Sequence, residues 1–576
     1  MLRMQEVVGS NPITSKDLQP MCPDLKNPLI VQSDRTLLLE VHNPAFEEAR
    51  DSLLRFADLE KSPEYIHTYR LTPVSLWNAA SSGMRRDDIM KELSRFAKYE
   101  IPKNISETIS QWLLRYGRIY LIRRGEQLCI TSDDHNLFTE IVNHKKIKRY
   151  VYRVESPGCA VLLEWSRGQI KKECIELGYP VIDLAGYAHG ESLPFSMDGA
   201  LELRAYQRDA VGVYMNYDQT GGSGIVVLPC GAGKTVVGIG VMTGVGENTL
   251  ILVTNITAAR QWKQELLKKT TLTGEQIGEY SGEAKEIRPV TVATYQILTY
   301  RRRVEEDFLH LSVLNRENWG LIIYDEVHLL PAPVFRFASE VQGRRRLGLT
   351  ATLIREDGKQ KDVFSLIGPK IYDVPWKVLE KQGWISKAFC TEIRCDLPDE
   401  EQYPYAMENR RERFKRASVN RKKYSIVSYL LKVHRGDSIL VIGQYIQQLE
   451  HIAEKFKMPI ITGKTRTVER DVLYERFRKG ELDTLIVSKV ANFAVDLPDA
   501  SVAIQISGTF GSRQEEAQRL GRILRPKKKG MAHFYSIVTR NTEEELYAEK
   551  RQLFLTEQGY SYAIVGEKEL KEKIPK

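Results

Sequence analysis

The chain has 576 residues, more than one hydrophobic core usually serves, so three or four domains are expected. It is 42% hydrophobic and 28% charged, as ordinary globular proteins are, and 84 Lys and Arg against 75 Asp and Glu give a net charge of +9, only a weak pointer to nucleic acid. Seven scattered cysteines without a C-x-x-C pair argue against a zinc site, an iron–sulfur cluster or a disulfide framework; the absence of a roughly 20-residue apolar run or a signal-peptide core predicts a cytoplasmic chain without membrane contact.

Residues 1–33 are expected as an N-terminal tail. Within 34–135, Thr72 precedes Pro73 as an N-cap before an N1 proline, which predicts a short helix to about Ser81. A second helix follows Arg86 with Ile89, Leu93 and Phe96 on one face, and a third carries Ile109, Trp112, Leu113 and Tyr116 before Gly117. IYLIRRGEQLCIT then gives two apolar runs around a glycine turn. Three helices and a hairpin predict a winged-helix-like module, which either sets a helix or wing on DNA or docks on its neighbour. Residues 136–198 read as a small α/β unit with a strand and turn at VLLEWSRG, and HGESLPFSM as a linker.

The next region, 199–372, carries phosphate chemistry. GIVVLPCGAGKT sets a β-branched run before a glycine-rich turn and a helix-compatible segment, the strand, loop and helix order of a phosphate cradle. Gly231, Ala232 and Gly233 would bring backbone N–H groups to phosphate oxygens, Lys234 would reach the β- and γ-phosphates of ATP, and the Thr235 hydroxyl would ligate Mg²⁺. The full G-x-x-x-x-G-K-T pattern is incomplete, with Leu228 at its first glycine. In WGLIIYDEVH, Asp325 and Glu326 end an apolar strand; a magnesium ion is a reason for two adjacent carboxylates there, with Asp325 holding the metal and Glu326 orienting and deprotonating the attacking water.

From 373 to 556 the runs DSILVIGQY, DTLIVSK and SVAIQIS alternate with helical segments, as in a second parallel α/β layer. An insertion near 398–424 is dense in basic residues, with Tyr403, Tyr405 and Phe414 among them, suiting a grip on phosphates and bases. In SRQEEAQRLGRILRP, Gln518, Arg522 and Arg525 fall at i, i+4 and i+7, one stripe that can look across a cleft and stabilise charge on a transferred phosphoryl group. Residues 557–576 are expected as a C-terminal tail.

GKT, DEVH and TAT (Thr350 to Thr352) in this order resemble superfamily 2 helicases, and TATLIREDGK with YRLTPVSLWNAASSGM and SKVANFAVDLPDASVAIQIS resemble the XPB family of DNA helicases in particular, from about Tyr65 to Phe554. The resemblance implies two tandem RecA-like motor lobes, 3′ to 5′ movement on DNA, a damage-recognition-like role for 136–198 and a thumb-like role for the basic insertion. It makes Arg204 and Gln207 adenine-reading residues, and Arg522 and Arg525 arginine fingers with Gln518 as γ-phosphate sensor. Thr254, Gln261, Trp262 and Thr294 would grip the tracking strand, and the triplet Arg355, Glu356 and Asp357 would help to part the duplex. Ala491 and Asn492 depart from the Gly and Asp more usual in the family, which bears on coupling between the lobes. The expected protein is a monomeric ATP-dependent DNA helicase or translocase; the alternative is a DNA-binding ATPase scaffold that recruits or regulates a partner nuclease.

Overall fold

A computed structural model of the chain describes residues 25–62, 65–199, 201–216, 222–229, 231–300, 310, 317–351, 360–488, 500–508, 531–557, 560 and 562–574. The N-terminal module is an antiparallel sheet of β1 (Leu29–Val31), β2 (Thr36–Glu40), β3 (Asp58–Lys61) and β4 (Ile66–Arg70) in the order β1-β2-β4-β3. Four helices accompany it: α1 (Phe46–Leu53), α2 (Pro73–Ser81), α3 (Arg86–Phe96) and α4 (Lys103–Arg115). Thr72 caps α2 by accepting from the Ser75 N–H at 3.1 Å, with Pro73 at the first helical position. Leu37, Leu39, Tyr69, Leu76, Ile89, Leu93, Ile105 and Ile109 form the core of this module.

The hairpin β5 (Ile119–Arg124) and β6 (Gln127–Thr131) turns at Gly125, as its sequence predicts, but its setting differs from that of a wing. It pairs with β7 (Val151–Ser156), β8 (Cys159–Leu162) and β9 (Val181–Asp183) in a five-stranded sheet ordered β7-β8-β6-β5-β9. With α5 (His135–Asn143) and α6 (Arg167–Glu176) this sheet encloses its own core, from Ile119 to Ala185.

The remaining two lobes are parallel sheets of seven strands. The first contains β10 (Ser223–Val227), β11 (Thr249–Val253), β12 (Ile277–Tyr280), β13 (Val290–Thr294), β14 (Leu321–Asp325), β15 (Arg345–Thr350) and β16 (Lys370–Asp373), with α7 (Ala205–Asn216), α8 (Lys234–Val245), α9 (Ile256–Lys269) and the short α10 (Tyr295–Leu298). The second contains β17 (Lys387–Cys395), β18 (Ile439–Gly443), β19 (Ile460–Ile461), β20 (Thr484–Ser488), β21 (Val502–Gln505), β22 (Met531–Thr539) and β23 (Tyr562–Gly566). Their orders, β12-β13-β11-β14-β15-β10-β16 and β19-β20-β18-β21-β22-β17-β23, are one threading repeated. Two expected boundaries move. β23 lies in the segment read as a tail, where it is the edge strand beside β17, and β16, at the boundary drawn at 372, belongs to the first lobe beside β10.

Both N-terminal units dock on the first lobe. Trp77 packs with Ile175 and Phe364, and the Lys370 N–H donates to Asn78 Oδ1 at 3.1 Å. Gly168 of α6 lies so close to the helix Ala332–Glu340 that a Cβ there would stand 2.4 Å from the Ser339 carbonyl oxygen. Beside it Arg167 and Lys171 share Asp183, and Lys171 Nζ donates to Gln342 Oε1 at 2.8 Å. Leu553, from the helix Glu543–Glu557 of the second lobe, is buried in the N-terminal core, so that module touches both lobes.

Candidate nucleotide and strand-coupling site

Strand β10 delivers the chain to a loop that ends at the N-terminus of α8, whose first residues are Lys234 and Thr235. Gly231 and Gly233 both have φ of +81°, a left-handed conformation that L side chains rarely adopt, and a Cβ on Gly233 would lie 2.5 Å from Gln207 Nε2. The loop is braced from α7. Ala232 O accepts from Tyr206 Oη at 2.8 Å and from Gln207 Nε2 at 2.9 Å, while Gln207 Oε1 accepts from the Arg204 N–H at 3.0 Å. Gln207 is thus buried with both ends of its amide engaged, the nitrogen on the loop and the oxygen on the start of its own helix. The Arg204 guanidinium lies 4.6 Å from the ring centroid of Trp384, in the connection to the second lobe.

Facing this loop, β14 ends in Asp325, and Glu326 follows in a left-handed conformation with φ 51° and ψ 54°. A non-glycine residue held there costs of order 1 kcal/mol or more, and here it turns the carboxylate back toward the loop. Glu326 Oε1 lies 3.3 Å from Lys234 Nζ, and Glu326 Oε2 3.5 Å from His328 Nδ1. His328 Nδ1 also meets Thr350 Oγ1 at 2.5 Å, joining DEVH to the TAT threonine at the end of β15. Burial works to raise the Glu326 carboxyl, but Lys234 and then His328 outweigh it and hold it below its ordinary range. Burial and the neighbouring Glu326 charge push Asp325 up to about 6, against the opposing effects of Trp262 and Lys234. Two carboxylates against one lysine leave a negative, oxygen-rich corner facing the start of α8. The donor set suits a hard divalent cation such as Mg²⁺, and the glycine loop with its helix N-terminus suits a polyphosphate.

The expected strand contacts separate into two groups. Gln261 is exposed on α9 and Thr254 is half-buried just before it. Trp262 and Thr294, read from the sequence as strand contacts, are 2% and 1% exposed, so their side chains offer a strand no surface. Trp262 instead donates from Nε1 to Asp325 Oδ2 at 2.8 Å, and Tyr295, next to Thr294, donates from its hydroxyl to the Asp325 carbonyl at 2.7 Å. Position beside the motif residues Gln261 and Thr294 is the only sequence signal that could have found these roles.

The basic insertion forms the helices Asp399–Met407 and Arg410–Ser418. Much of its charge is neutralised locally: Arg416 pairs with Glu408 and Glu401, Arg410 with Glu543, and Arg413 donates to the Tyr405 and Ala406 carbonyls. Phe414 is fully buried and the Tyr405 hydroxyl accepts from the Glu543 N–H, which leaves Tyr403, 75% exposed, as the aromatic available to a base. Cys129 and Cys159 converge across β6 and β8 with Glu155, their ligand atoms within 4.8 Å of one another, a proximity that sequence spacing did not reveal. Burial, and then the neighbouring Cys159, raises the Cys129 thiol, and Arg153 pairs with Glu155 at 2.9 Å. Gln518, Arg522, Arg525, Arg355, Glu356, Asp357, Ala491 and Asn492 lie outside the described residues.

Three family descriptions match the chain: an ERCC3/RAD25/XPB C-terminal helicase over residues 379–576, a type III restriction enzyme res subunit over 200–355, and a helicase conserved C-terminal domain over 29–155. The DNA 3′-5′ helicase XPB of Mycobacterium tuberculosis is 50% identical over 93% of this chain and 97% of its own length. The protein of the same name from Kineococcus radiotolerans is 49% identical over 95% and 98%. The general transcription and DNA repair factor IIH helicase/translocase subunit XPB of Enterocytozoon bieneusi is 35% identical over 94% and 93%.

Proposed function

Because the chain belongs to the XPB family of DNA helicases, we propose that it is an ATP-dependent 3′ to 5′ DNA helicase or translocase that opens duplexes in repair or transcription. The observation that carries this reading is the corner where Lys234, Glu326 and His328 meet at the tips of a parallel sheet, with an equivalent sheet following in the same chain. When bound, ATP would supply the phosphoryl group whose transfer to water releases free energy, and Mg²⁺ would neutralise charge on its phosphates.

The protein's own residues do the rest. Backbone N–H groups of Gly231 to Gly233 and the α8 N-terminus bind phosphate oxygens, with Lys234 offering a positive charge and Thr235 and Asp325 the oxygens for the cation. Glu326, kept ionised by Lys234, accepts the proton of the attacking water. Gln207 and Tyr206 fix the loop through Ala232, and Arg204, which donates to Tyr206 Oη at 3.1 Å and lies over Trp384, offers its remaining donors to a base. Gln518, Arg522 and Arg525, carried from the family likeness, close on the nucleotide from the second lobe, and alternating closure and release move the lobes along a strand.

Strand displacement on 3′-tailed duplexes of DNA and of RNA tests the reading. ATP-dependent opening of the DNA duplex is expected. DNA-stimulated ATP hydrolysis without displacement or translocation would overturn it in favour of a scaffold that serves a partner such as a nuclease.

A further inference from the structure

Asp325 is held on every side by the protein. Its Oδ1 accepts from the Glu326 N–H at 3.1 Å, its Oδ2 from the Trp262 indole N–H at 2.8 Å and its carbonyl from the Tyr295 hydroxyl at 2.7 Å. The last two donors come from different elements, α9 and α10. Each stands directly after a residue of the strand-gripping motifs: Trp262 follows Gln261, which is exposed, and Tyr295 follows Thr294 and precedes Gln296, which is exposed.

Trp262 has a second contact that matters. A Cβ on Gly238 of α8 would lie 2.7 Å from Trp262 Cη2, so the indole is pressed on the same helix that begins with Lys234 and Thr235. A close-packed interior transmits a displacement rather than absorbing it. Any shift of α9 that a bound strand imposes through its exposed face therefore reaches the Asp325 carboxylate and α8 together. Tyr295 does the same for α10 through the backbone of Asp325.

We propose that Trp262 and Tyr295 are positioning residues through which strand engagement by the first lobe sets the orientation of the Asp325 carboxylate, and with it the affinity of the site for its divalent cation. This rests on the helicase reading above and names how its ATP site is regulated. Partners of this kind around a metal-binding carboxylate change metal affinity by about 10-fold or more when removed.

The test uses the full chain and two variants. Trp262→Phe removes the indole N–H and keeps a ring, and Tyr295→Phe removes one hydroxyl. Mn²⁺ binding in the presence of a non-hydrolysable ATP analogue is read by electron paramagnetic resonance, with and without a single-stranded oligodeoxynucleotide. Fluorescence anisotropy, without divalent cation or nucleotide so that the coupling itself does not enter, gives the affinity for that oligonucleotide.

The wild type is expected to bind Mn²⁺ more tightly with the oligonucleotide present. Each variant is expected to bind Mn²⁺ about 10-fold more weakly and to lose the oligonucleotide-dependent tightening, while keeping its oligonucleotide affinity. Tightening that persists in Tyr295→Phe, the milder change, overturns the proposal, as does loss of oligonucleotide affinity in step with Mn²⁺ affinity. A wild type that displaces strands but shows no effect of DNA on Mn²⁺ overturns the coupling and leaves the helicase reading standing. A wild type that neither displaces a strand nor translocates overturns that reading itself.

Discussion

The two seven-stranded sheets thread identically, and in both a lysine opens the helix that precedes the second strand and meets a group just beyond the fifth. In the first lobe this is Lys234, which meets Glu326 just beyond β14, with side chains 12% and 18% exposed. In the second it is Lys423, whose ammonium donates to the Ile506 carbonyl just beyond β21 at 2.9 Å and to Glu544 at 2.7 Å, with side chains 0% and 1% exposed. One frame thus carries an open ion pair at a rim and a sealed one in a core. The difference lies in the partners: Glu326 stands in a strained turn beside a glycine loop, whereas Glu544 comes from a C-terminal helix that closes over its lysine. An open pair can exchange its partner for phosphate; a sealed pair can only hold the lobe together.

Several experiments break or sharpen this contrast. Lys234→Ala should lower steady-state ATP turnover by about 10³-fold or more with little change in melting temperature; a large loss of stability would show that this pair, too, is structural. Glu326→Gln should keep nucleotide binding, measured by equilibrium titration, and slow hydrolysis by about 10² to 10⁴-fold; normal turnover would remove it as the base. Lys423→Met should do the reverse and cost about 3 to 5 kcal/mol of stability by leaving Glu544 buried without its partner. Denaturant unfolding of the second lobe reads that loss, and an unchanged midpoint would end the claim that the pair is a keystone.

Smaller effects are expected away from the two pairs. Gln207→Ala removes one brace of Ala232 and should raise the KM for ATP by about 3- to 10-fold, a hydrogen bond's worth of about 1 kcal/mol, with kcat less affected. Lys171 provides a second buried lysine, between α6 and the first lobe, where burial is the main cause that lowers it to about 7, opposed by Asp183 and reinforced by Arg346 and Arg167. Its folded value lies below the unfolded one near 10.5, so between those values the unfolded chain binds the extra proton and stability rises with pH. The melting temperature of the wild type should climb by a few degrees from pH 7 to pH 9 relative to Lys171→Met; parallel profiles would show that Lys171 is not the titrating group.

The ATP-site wording was legible because its chemistry is local. A strand, a glycine turn and a helix start lie in consecutive residues, so GAGKT and the tip DE could be placed without knowing what surrounds them. The helices after Thr72, Arg86 and Lys103 were legible for the same reason, through caps and 3.6-residue periodicity. The sheet β1 to β4 was not, since a strand such as DLEK shows no apolar alternation and takes its place only by pairing with β4, Asp58 opposite Arg70. The hairpin β5–β6 was found but given the wrong company, because a hairpin's own residues do not say which sheet it joins.

By itself, then, the sequence determined the family, the alternation of strands and helices in the two lobes and the glycine-rich loop that opens α8, all properties of short contiguous segments. Only the tertiary structure decided orientation. It turned Trp262 and Thr294 inward, made Gln207 a brace of the phosphate loop, neutralised much of the basic insertion and separated the open lysine of one lobe from the sealed lysine of the other. Each of these outcomes depends on which side of an element faces a partner far along the chain, and that is settled by packing and charge compensation rather than by the residue's own neighbours.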